Sequence, residues 1–254
     1  MTARTLTLRT LDGIPRVRPG DDLATLLLDA VGDDLRDGDV LVIAQKIFSK
    51  AQNRYAVLNT ITPSAAAEVL AVETEKDPRV VELILSESSE VLRKRPGVII
   101  VVHRLGMVMA NAGIDASNVE PAEDGGERVL LLPLDPDGDC AHLRGEILAR
   151  RGVSVAVIMN DSVGRAWRSG TVGIAIGAAG FPSLLDLRGQ DDMFGRPLQS
   201  SIVGLADELA AAASMLQGQA AEGLPAVLVR GFDYAGPEIP ARGLIRNIAE
   251  DLFR

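Results

Sequence analysis

The 254-residue chain has one cysteine, Cys140, and two histidines, His103 and His142. A single thiol cannot build an intrachain disulfide framework, and this set cannot make a Cys/His zinc site. Aromatic residues make up only 3% of the chain, so its core has to be assembled mainly from Ala, Val, Leu and Ile. There is no basic run, and the formal net charge is −9. Such a chain repels polyanions, which argues against a nucleic-acid partner. A small phosphorylated ligand is not excluded, because a few Arg and Lys in a cleft, or bound cations, set a local positive field. No apolar run approaches the ~20 residues of a membrane helix. The N-terminal segment carries Arg4 and Arg9 and no apolar signal core. The expected location is the cytoplasm, with no membrane partner. Two further absences bear on function: there is no G-x-x-x-x-G-K-[ST] loop and no G-x-G-x-x-G after a strand. Any nucleotide must therefore sit in a non-standard site.

What is present is an ordinary globular balance, 47% hydrophobic against 24% charged, enough for one large domain or two joined smaller ones. Short β-branched runs predict strands over residues 6–10, 39–44, 98–102, 153–159 and 226–229, with 106–109 as a partner of 98–102. Helical spacing predicts a helix over 21–31, with Leu23, Leu26, Leu27 and Ala30 on one face. Pro63 after Thr62 and Pro78 after Asp77 read as first helical positions. The second of these helices carries Val81, Ile84, Leu85, Ser88 and Val91 at helical spacing. Further helices are expected over 141–151, ending at Gly152, over 205–219, and over 242–253 as a last amphipathic element. Residues 133–139 read as a polar turn and a boundary between halves. Residues 164–195 are glycine-rich; the spacing of Gly173, Gly177 and Gly180 is wrong for a dinucleotide loop and points to close backbone packing.

Three polar segments lie beside buried strands, over residues 111–118, 160–168 and 217–223, and strand ends are where α/β proteins place their chemistry. Asp115, Asp161, Ser162 and Gln219 offer the oxygen ligands that hard cations such as Mg²⁺ or Mn²⁺ prefer. An Asp after a strand also serves as a helix cap or turn former. Arg165 and Arg168 are suited to clamp a phosphate or carboxylate, or to a solvated turn beside Trp167. Gln45, Lys46, Ser49 and Lys50 follow a strand, where they would contact phosphates or simply face water. His103 and His142 stand alone and receive no catalytic role.

In order along the chain come Gly13, Ile14 and Pro15; Pro19 to Asp22; the block A-Q-K-I-F-S-K-A from Ala44; Asp77, Pro78 and Arg79; A-N-A-G-I-D-A-S-N-V from Ala110; N-D-S-V-G-R-A-W-R from Asn160; A-D-E-L-A-A-A from Ala206; and G-Q-A-A-E-G from Gly218 before V-L-V-R-G from Val227. Together these resemble the coenzyme F-420:L-glutamate ligase family over nearly the whole chain. The resemblance implies a GTP- and metal-dependent amide ligase of mixed α/β (α+β) fold, with mixed sheets, flanking helices and two closely joined subdomains. A single ligase domain over 1–254 is expected, its subdomains meeting near 133–139, in an intertwined homodimer. By the same resemblance Asp115, Asp161, Ser162 and Gln219 would hold two divalent cations, Mg²⁺ or Mn²⁺, with K⁺ as a further candidate. Ile14, Pro15, Arg16, Val17, Gln45, Lys46, Lys50, Asn118, Gln217, Gly218, Gln219, Ala220, Ala221, Glu222, Gly223 and Leu224 would form the GTP site. Lys46, Arg165 and Arg168 would be catalytic. The expected partners are GTP, L-glutamate and a phosphorylated deazaflavin acceptor. The alternatives are a different phosphorylated or pterin-like acceptor on the same scaffold, and a nucleotide-binding protein without turnover. The chain departs from the family at Asn160, where Ser or Thr is usual, and at Ala166, where Pro is usual. Some relatives carry a C-terminal flavin-binding domain, which is not expected here.

Overall fold

The computed structural model describes residues 4–122, 124–233 and 236–252. The chain opens with β1 (Thr7–Thr10), α1 (Leu23–Val31), β2 (Val40–Ala44), α2 (Gln45–Ala51) and β3 (Tyr55–Val57). Next come α3 (Ala65–Thr74), α4 (Pro78–Ser86), β4 (Ser88–Arg95), β5 (Val98–His103), β6 (Val108–Ala110) and β7 (Arg128–Leu130). The remainder is α5 (Pro136–Arg151), β8 (Ala156–Arg165), β9 (Arg168–Ala179), β10 (Leu185–Asp186), β11 (Ile202–Val203), α6 (Leu205–Gln217) and β12 (Ala226–Arg230). The expected mixed α/β class holds.

The main sheet has the order β1-β12-β2-β8-β9. Only β2 and β8 run parallel; the other neighbours are antiparallel. Its central strands are apolar on both faces because both faces are covered. Leu41, Ile43, Val157, Met159 and Leu228 pack with α1, α2 and α5, while Val40, Val42, Ile158, Val227 and Val229 pack with α6. α6 meets the sheet through Ala206, Ala210 and Ala213, all fully buried. Small residues let backbones approach, which is how a core with few aromatic rings is closed. The expected close packing of the glycine stretch is observed: a Cβ on Gly177 would lie 2.6 Å from the Pro136 carbonyl carbon, and one on Gly173 would lie 2.6 Å from the Ala210 oxygen.

β9 is an edge strand, and carboxylates cap its free N–H groups. The Ala175, Ala178 and Gly180 amides donate to Asp207, Asp137 and Glu238, each at 2.9 Å. That blunts an edge which would otherwise template another strand. Residues between β3 and β7 build a separate layer, in which Leu70, Val81, Ile84, Ile99 and Val101 form a cluster of their own. There α3 and α4 cover the sheet β4-β5-β6.

Several boundaries differ from the sequence reading. The helix expected at Pro63 begins at Ala65, because the Ser64 hydroxyl caps it by accepting the Ala67 N–H at 3.2 Å. The helix from Pro78 stops at Ser86, so Ser88 and Val91 belong to β4: the chain turns at Glu87, and pairing with β5 overrides the helical spacing. α5 starts at Pro136 rather than at 141, with the Asp135 carboxylate accepting the Gly138 N–H at 3.2 Å, which leaves only 133–135 as turn. Its end at Gly152 is as expected, with the left-handed φ of 68° that glycine tolerates. The polar segment over 45–50 is helical, within α2. The strand expected over 153–159 begins at Ala156 and continues to Arg165, so residues 160–168 form the arms of a β-hairpin rather than a strand-end loop. The last helix is not formed; residues 241–244 and 248–250 are short 3₁₀ turns. Leu244 packs on the α6 side of the main sheet, but Ile248 is 70% and Leu252 91% exposed, and a helix with so little cover is marginal in water. Residue 253 lies outside the described residues.

Candidate active site

At the C-terminal end of β2, beside residues 160–162 midway along its parallel neighbour β8, lies a cleft of about 630 Å³. Its wall is placed by a run of left-handed residues after β6. Asn111, Ala112 and Gly113 all have positive φ, 50°, 53° and 64°. For the non-glycine residues this conformation is unfavourable by about 1–2 kcal/mol each. It is held by the buried Ala112 side chain and by Asn111 Oδ1, which accepts the Ile99 N–H at 3.1 Å. Out of this turn Asp115 pairs with Leu130 through two backbone hydrogen bonds, 2.9 and 2.8 Å, and its carboxylate faces α2.

Gln45 Nε2 donates to Asp115 Oδ2 at 2.7 Å, and Ser49 Oγ donates to Gln45 Oε1 at 2.8 Å. The Gln45 side chain is thus a buried brace for Asp115. Lys46 Nζ lies 3.3 Å from Asp115 Oδ1 and donates to the Ser117 hydroxyl at 3.1 Å. Lys50 Nζ donates to the Asn118 carbonyl at 2.9 Å, and Asn118 Nδ2 donates to the Ala220 carbonyl at 2.9 Å, closing the cleft against the 217–224 loop. That loop is anchored from beneath. Gln217 Nε2 donates to the carbonyls of Val42 and Pro225 at 3.3 and 3.1 Å, and its Oε1 accepts from Asn160 Nδ2 at 2.6 Å.

Asp161 follows Asn160 on β8, with Ser162 exposed beside it. Burial, reinforced by the charge of Asp115, pushes the Asp161 carboxyl up from 3.8 to about 7. Asp115 is raised too, by burial, against the opposing pull of Lys46 and Gln45. Two carboxylates that resist ionising together are what a cation would relieve. Among the described residues no three His, Cys, Asp or Glu side chains converge, so a cation here would draw on two carboxylates and neutral oxygens. Ser162 supplies a hydroxyl. Gln219 Nε2 donates to Ser214 Oγ at 3.1 Å, leaving the Gln219 amide oxygen as an acceptor. An all-oxygen set of this kind fits Mg²⁺ or Mn²⁺.

The cleft brings together Ile14, Pro15, Arg16, Val17, Gln45, Lys46, Lys50, Asn118, Asp161, Ser162 and all of residues 217–224. Arg165 and Arg168 are not among its lining. They face each other across the exposed hairpin turn of β8 and β9, where Arg165 Nη1 donates to the Gly170 carbonyl at 3.4 Å. The expected site residue Asp115 is not among the lining either; like Ser117 it lies behind it, in contact with Gln45 and Lys46. Sequence reasoning missed Val119, Glu120 and Pro121, although they continue the polar segment it had singled out. His103 is buried, its Nδ1 accepting the Leu105 N–H at 3.0 Å, and His142 is exposed. A smaller cavity of about 360 Å³ beside the outer edge of β9, lined in part by Met107, Ile176, Asp207 and Arg242, contains none of the expected site residues. No helix among the described residues is long and apolar enough to cross a membrane.

A sequence profile of the family described as F420-0:Gamma-glutamyl ligase matches residues 13–231. The chain belongs to this family. Members of the F420-0:gamma-glutamyl ligase family similar to it include the coenzyme F420:L-glutamate ligase of Methanopyrus kandleri, 47% identical over 244 residues, or 94% of either chain. The protein of that description from Methanothermobacter thermautotrophicus is 45% identical over 249 residues, 96% of this chain and 97% of its own. That from Archaeoglobus fulgidus is 41% identical over 244 residues, 96% and 94% of the two chains. The family match spans every segment lining the cleft, from Ile14 to Pro225.

Proposed function

We propose that this chain joins L-glutamate to the lactyl carboxylate of the deazaflavin precursor F420-0, using GTP and divalent cations. The observation that carries the reading is near full-length similarity to coenzyme F420:L-glutamate ligases, in a chain whose cleft is lined by Asp161, Ser162 and Gln219, with Asp115 held behind Gln45 and Lys46. A carboxylate is a poor acyl donor because its leaving group would be oxide. In the proposed reaction an acceptor carboxylate oxygen attacks the γ-phosphorus of GTP, the bond to the β-phosphate oxygen breaks, and GDP leaves. The glutamate amine then attacks the acyl carbon, phosphate departs with the C–O electron pair, and the nitrogen sheds a proton as the amide forms. A second glutamate would join through the γ-carboxylate of the first by the same chemistry.

Such a reaction needs positioning and charge neutralisation more than covalent help from the protein. Asp115, Asp161, Ser162 and Gln219 would hold the cations, which when bound neutralise phosphate charge. Lys46 and Lys50 add positive charge along the same wall, and Asn118 together with the 217–224 loop closes over the nucleotide. Arg165 and Arg168, outside the cleft lining, would act on the acceptor or glutamate only from the hairpin. The test is mass spectrometry of purified protein incubated with F420-0, glutamate, Mn²⁺ and either GTP or ATP. A product heavier by one or more glutamate residues is expected, with GTP converted to GDP only when acceptor is present. Equal turnover with ATP refutes the nucleotide assignment, and glutamylation of a pterin-like carboxylate in place of F420-0 refutes the acceptor.

A homodimer is part of the same proposal. Trp167, Met193 and Phe194 are 89%, 97% and 81% exposed, and a second copy covering them would remove that apolar surface from water. Sedimentation at low micromolar concentration should give about twice the 26.9 kDa chain mass. A fully active monomer would end this part of the proposal.

A further inference from the structure

The cleft has a direction, and α2 sets it. From the start of this helix Gln45 and Lys46 reach Asp115 and Ser117. Lys50 sits one turn further on, about 6 Å along the axis, and reaches Asn118. Beyond it Arg16 Nη1 pairs with Glu120 Oε1 at 3.2 Å. Residues 115–120 therefore run alongside α2 as one wall, with the paired carboxylates Asp115 and Asp161 at one end and Glu120 at the other. Around Glu120 the lining includes the apolar side chains of Ile14, Pro15, Val17, Val119 and Pro121.

Among the described residues three carboxylates line this cleft: Asp161, Glu222 and Glu120. Asp161 belongs to the cation end. Glu222 is folded onto its own loop, its Oε2 accepting the Ala220 N–H at 2.8 Å. Among the described residues the Glu120 carboxylate has one ion-pair partner, Arg16, with the two side chains 54% and 88% exposed. An exposed pair of this kind contributes little and is readily exchanged for a ligand. The Glu120 main chain, by contrast, is fixed, because its carbonyl accepts from Arg128 Nε, and the Arg128 guanidinium lies 3.9 Å over the Tyr55 ring.

We infer that Glu120 reads the base of the nucleotide, its two oxygens accepting from the N1–H and the N2 amino group of guanine. This rests on the GTP use proposed above. Guanine presents two adjacent donors on that edge, and a carboxylate presents two adjacent acceptors. Adenine places an acceptor at N1 and no donor at C2, so it makes neither hydrogen bond and sets its N1 lone pair against a carboxylate oxygen. A site that hydrogen-bonds a ligand's N–H groups discriminates against an analogue that lacks them.

The test needs no acceptor substrate. Binding of GDP, IDP, XDP and ADP in the presence of Mn²⁺ is measured by titration calorimetry for the wild type, Glu120→Gln and Glu120→Ala. The wild type should rank GDP above IDP, which lacks the N2 amino group, and both above ADP. Glu120→Gln replaces one acceptor by a donor, which matches the N1–H and C2 carbonyl of xanthine. GDP affinity should then fall about tenfold or more, and XDP should overtake it. Glu120→Ala should bring GDP and ADP to within a few-fold of each other with an unchanged melting temperature, as expected for a half-exposed side chain. If the wild type prefers GDP and both variants keep that preference, Glu120 is a surface ion-pair partner and the inference is overturned. If the wild type itself binds ADP as well as GDP, the GTP assignment fails first and this inference with it.

Discussion

Asp161→Asn should reduce turnover by at least about a hundredfold, in line with the loss of an electrostatic group acting on the transition state, while making the metal-free protein more stable at neutral pH. The substitution keeps size and hydrogen-bonding capacity: an asparagine oxygen still accepts the Ser162 N–H that Asp161 Oδ1 accepts at 2.8 Å. What it removes is a negative charge beside Asp115. Burial and that neighbour hold Asp161 at about 7, against an ordinary 3.8. The folded state therefore binds this proton more tightly than the unfolded chain does. The stability that follows is complete below about pH 4 and is lost as pH rises through about 7. Asparagine has no such loss, so the variant and wild type should melt together near pH 4, with the variant ahead above pH 7 by a margin on the order of a few kcal/mol. A cation must displace the same proton, so Mn²⁺ affinity of the wild type should rise with pH up to about 7 and level off above it. Thermal melts with and without Mn²⁺ across this range, together with the turnover assay, read all three effects. Normal turnover with an earlier melt would make Asp161 a structural residue and move the cation site elsewhere.

The largest stability effect is expected at Glu87, which is not part of the cleft lining. This residue ends α4, and its carboxylate lies 2.9 Å from Arg54 Nη2 and 2.9 Å from Arg104 Nε, with His103 Nε2 at 3.6 Å. The two arginines reach onward, Arg54 to the Leu132 carbonyl at 2.8 Å and Arg104 to the Pro133 carbonyl at 2.9 Å. One carboxylate thereby ties the end of α4, the residue before β3, the end of β5 and the approach to α5. Burial opposes its charge, but His103, Arg104 and Arg54 outweigh burial and hold it at about 2 instead of 4.5. Its stabilising contribution is therefore present above about pH 4.5 and lost as pH falls toward 2. Glu87→Ala would leave two guanidinium groups facing each other over a buried gap, which costs about 3 kcal/mol and lowers the melting temperature by roughly 6 °C or more. The deficit should shrink in acid, and activity well below the transition should persist. An unchanged melting temperature at pH 7 would show that the cluster adds nothing.

Both side chains show how far a sequence can be read. Asp161 was legible because an acid and a hydroxyl follow a buried β-branched run, inside a block that resembles a known family. Glu87 was invisible: its partners Arg54, His103 and Arg104 are distant or ordinary in sequence, and only folding brings them to one carboxylate. The same contrast holds for Gln45, read as a nucleotide contact, whose amide is occupied by Asp115 and Ser49. Ser88 and Val91 continued a helical spacing, yet pairing with β5 made them strand.

By itself the sequence determined the things that local chemistry and composition dictate. One cysteine and two histidines removed disulfide and zinc architectures. The apolar runs at 39–44 and 226–229 gave central strands, because runs apolar on both faces need cover on both. The caps at Asp77 and Gly152 set helix ends, because a side-chain oxygen or a left-handed glycine satisfies the free backbone groups locally. Tertiary structure alone decided the rest. It turned residues 160–168 into hairpin arms and set Arg165 and Arg168 outside the cleft. It left the C-terminal segment in 3₁₀ turns, with Leu244 packed against the core and Ile248 and Leu252 exposed. It also aligned residues 115–120 beside α2, so that Glu120, unremarked in the sequence, stands at the other end of that wall from Asp115. Those outcomes depend on contacts between residues far apart in the chain, whose free energies no local pattern encodes.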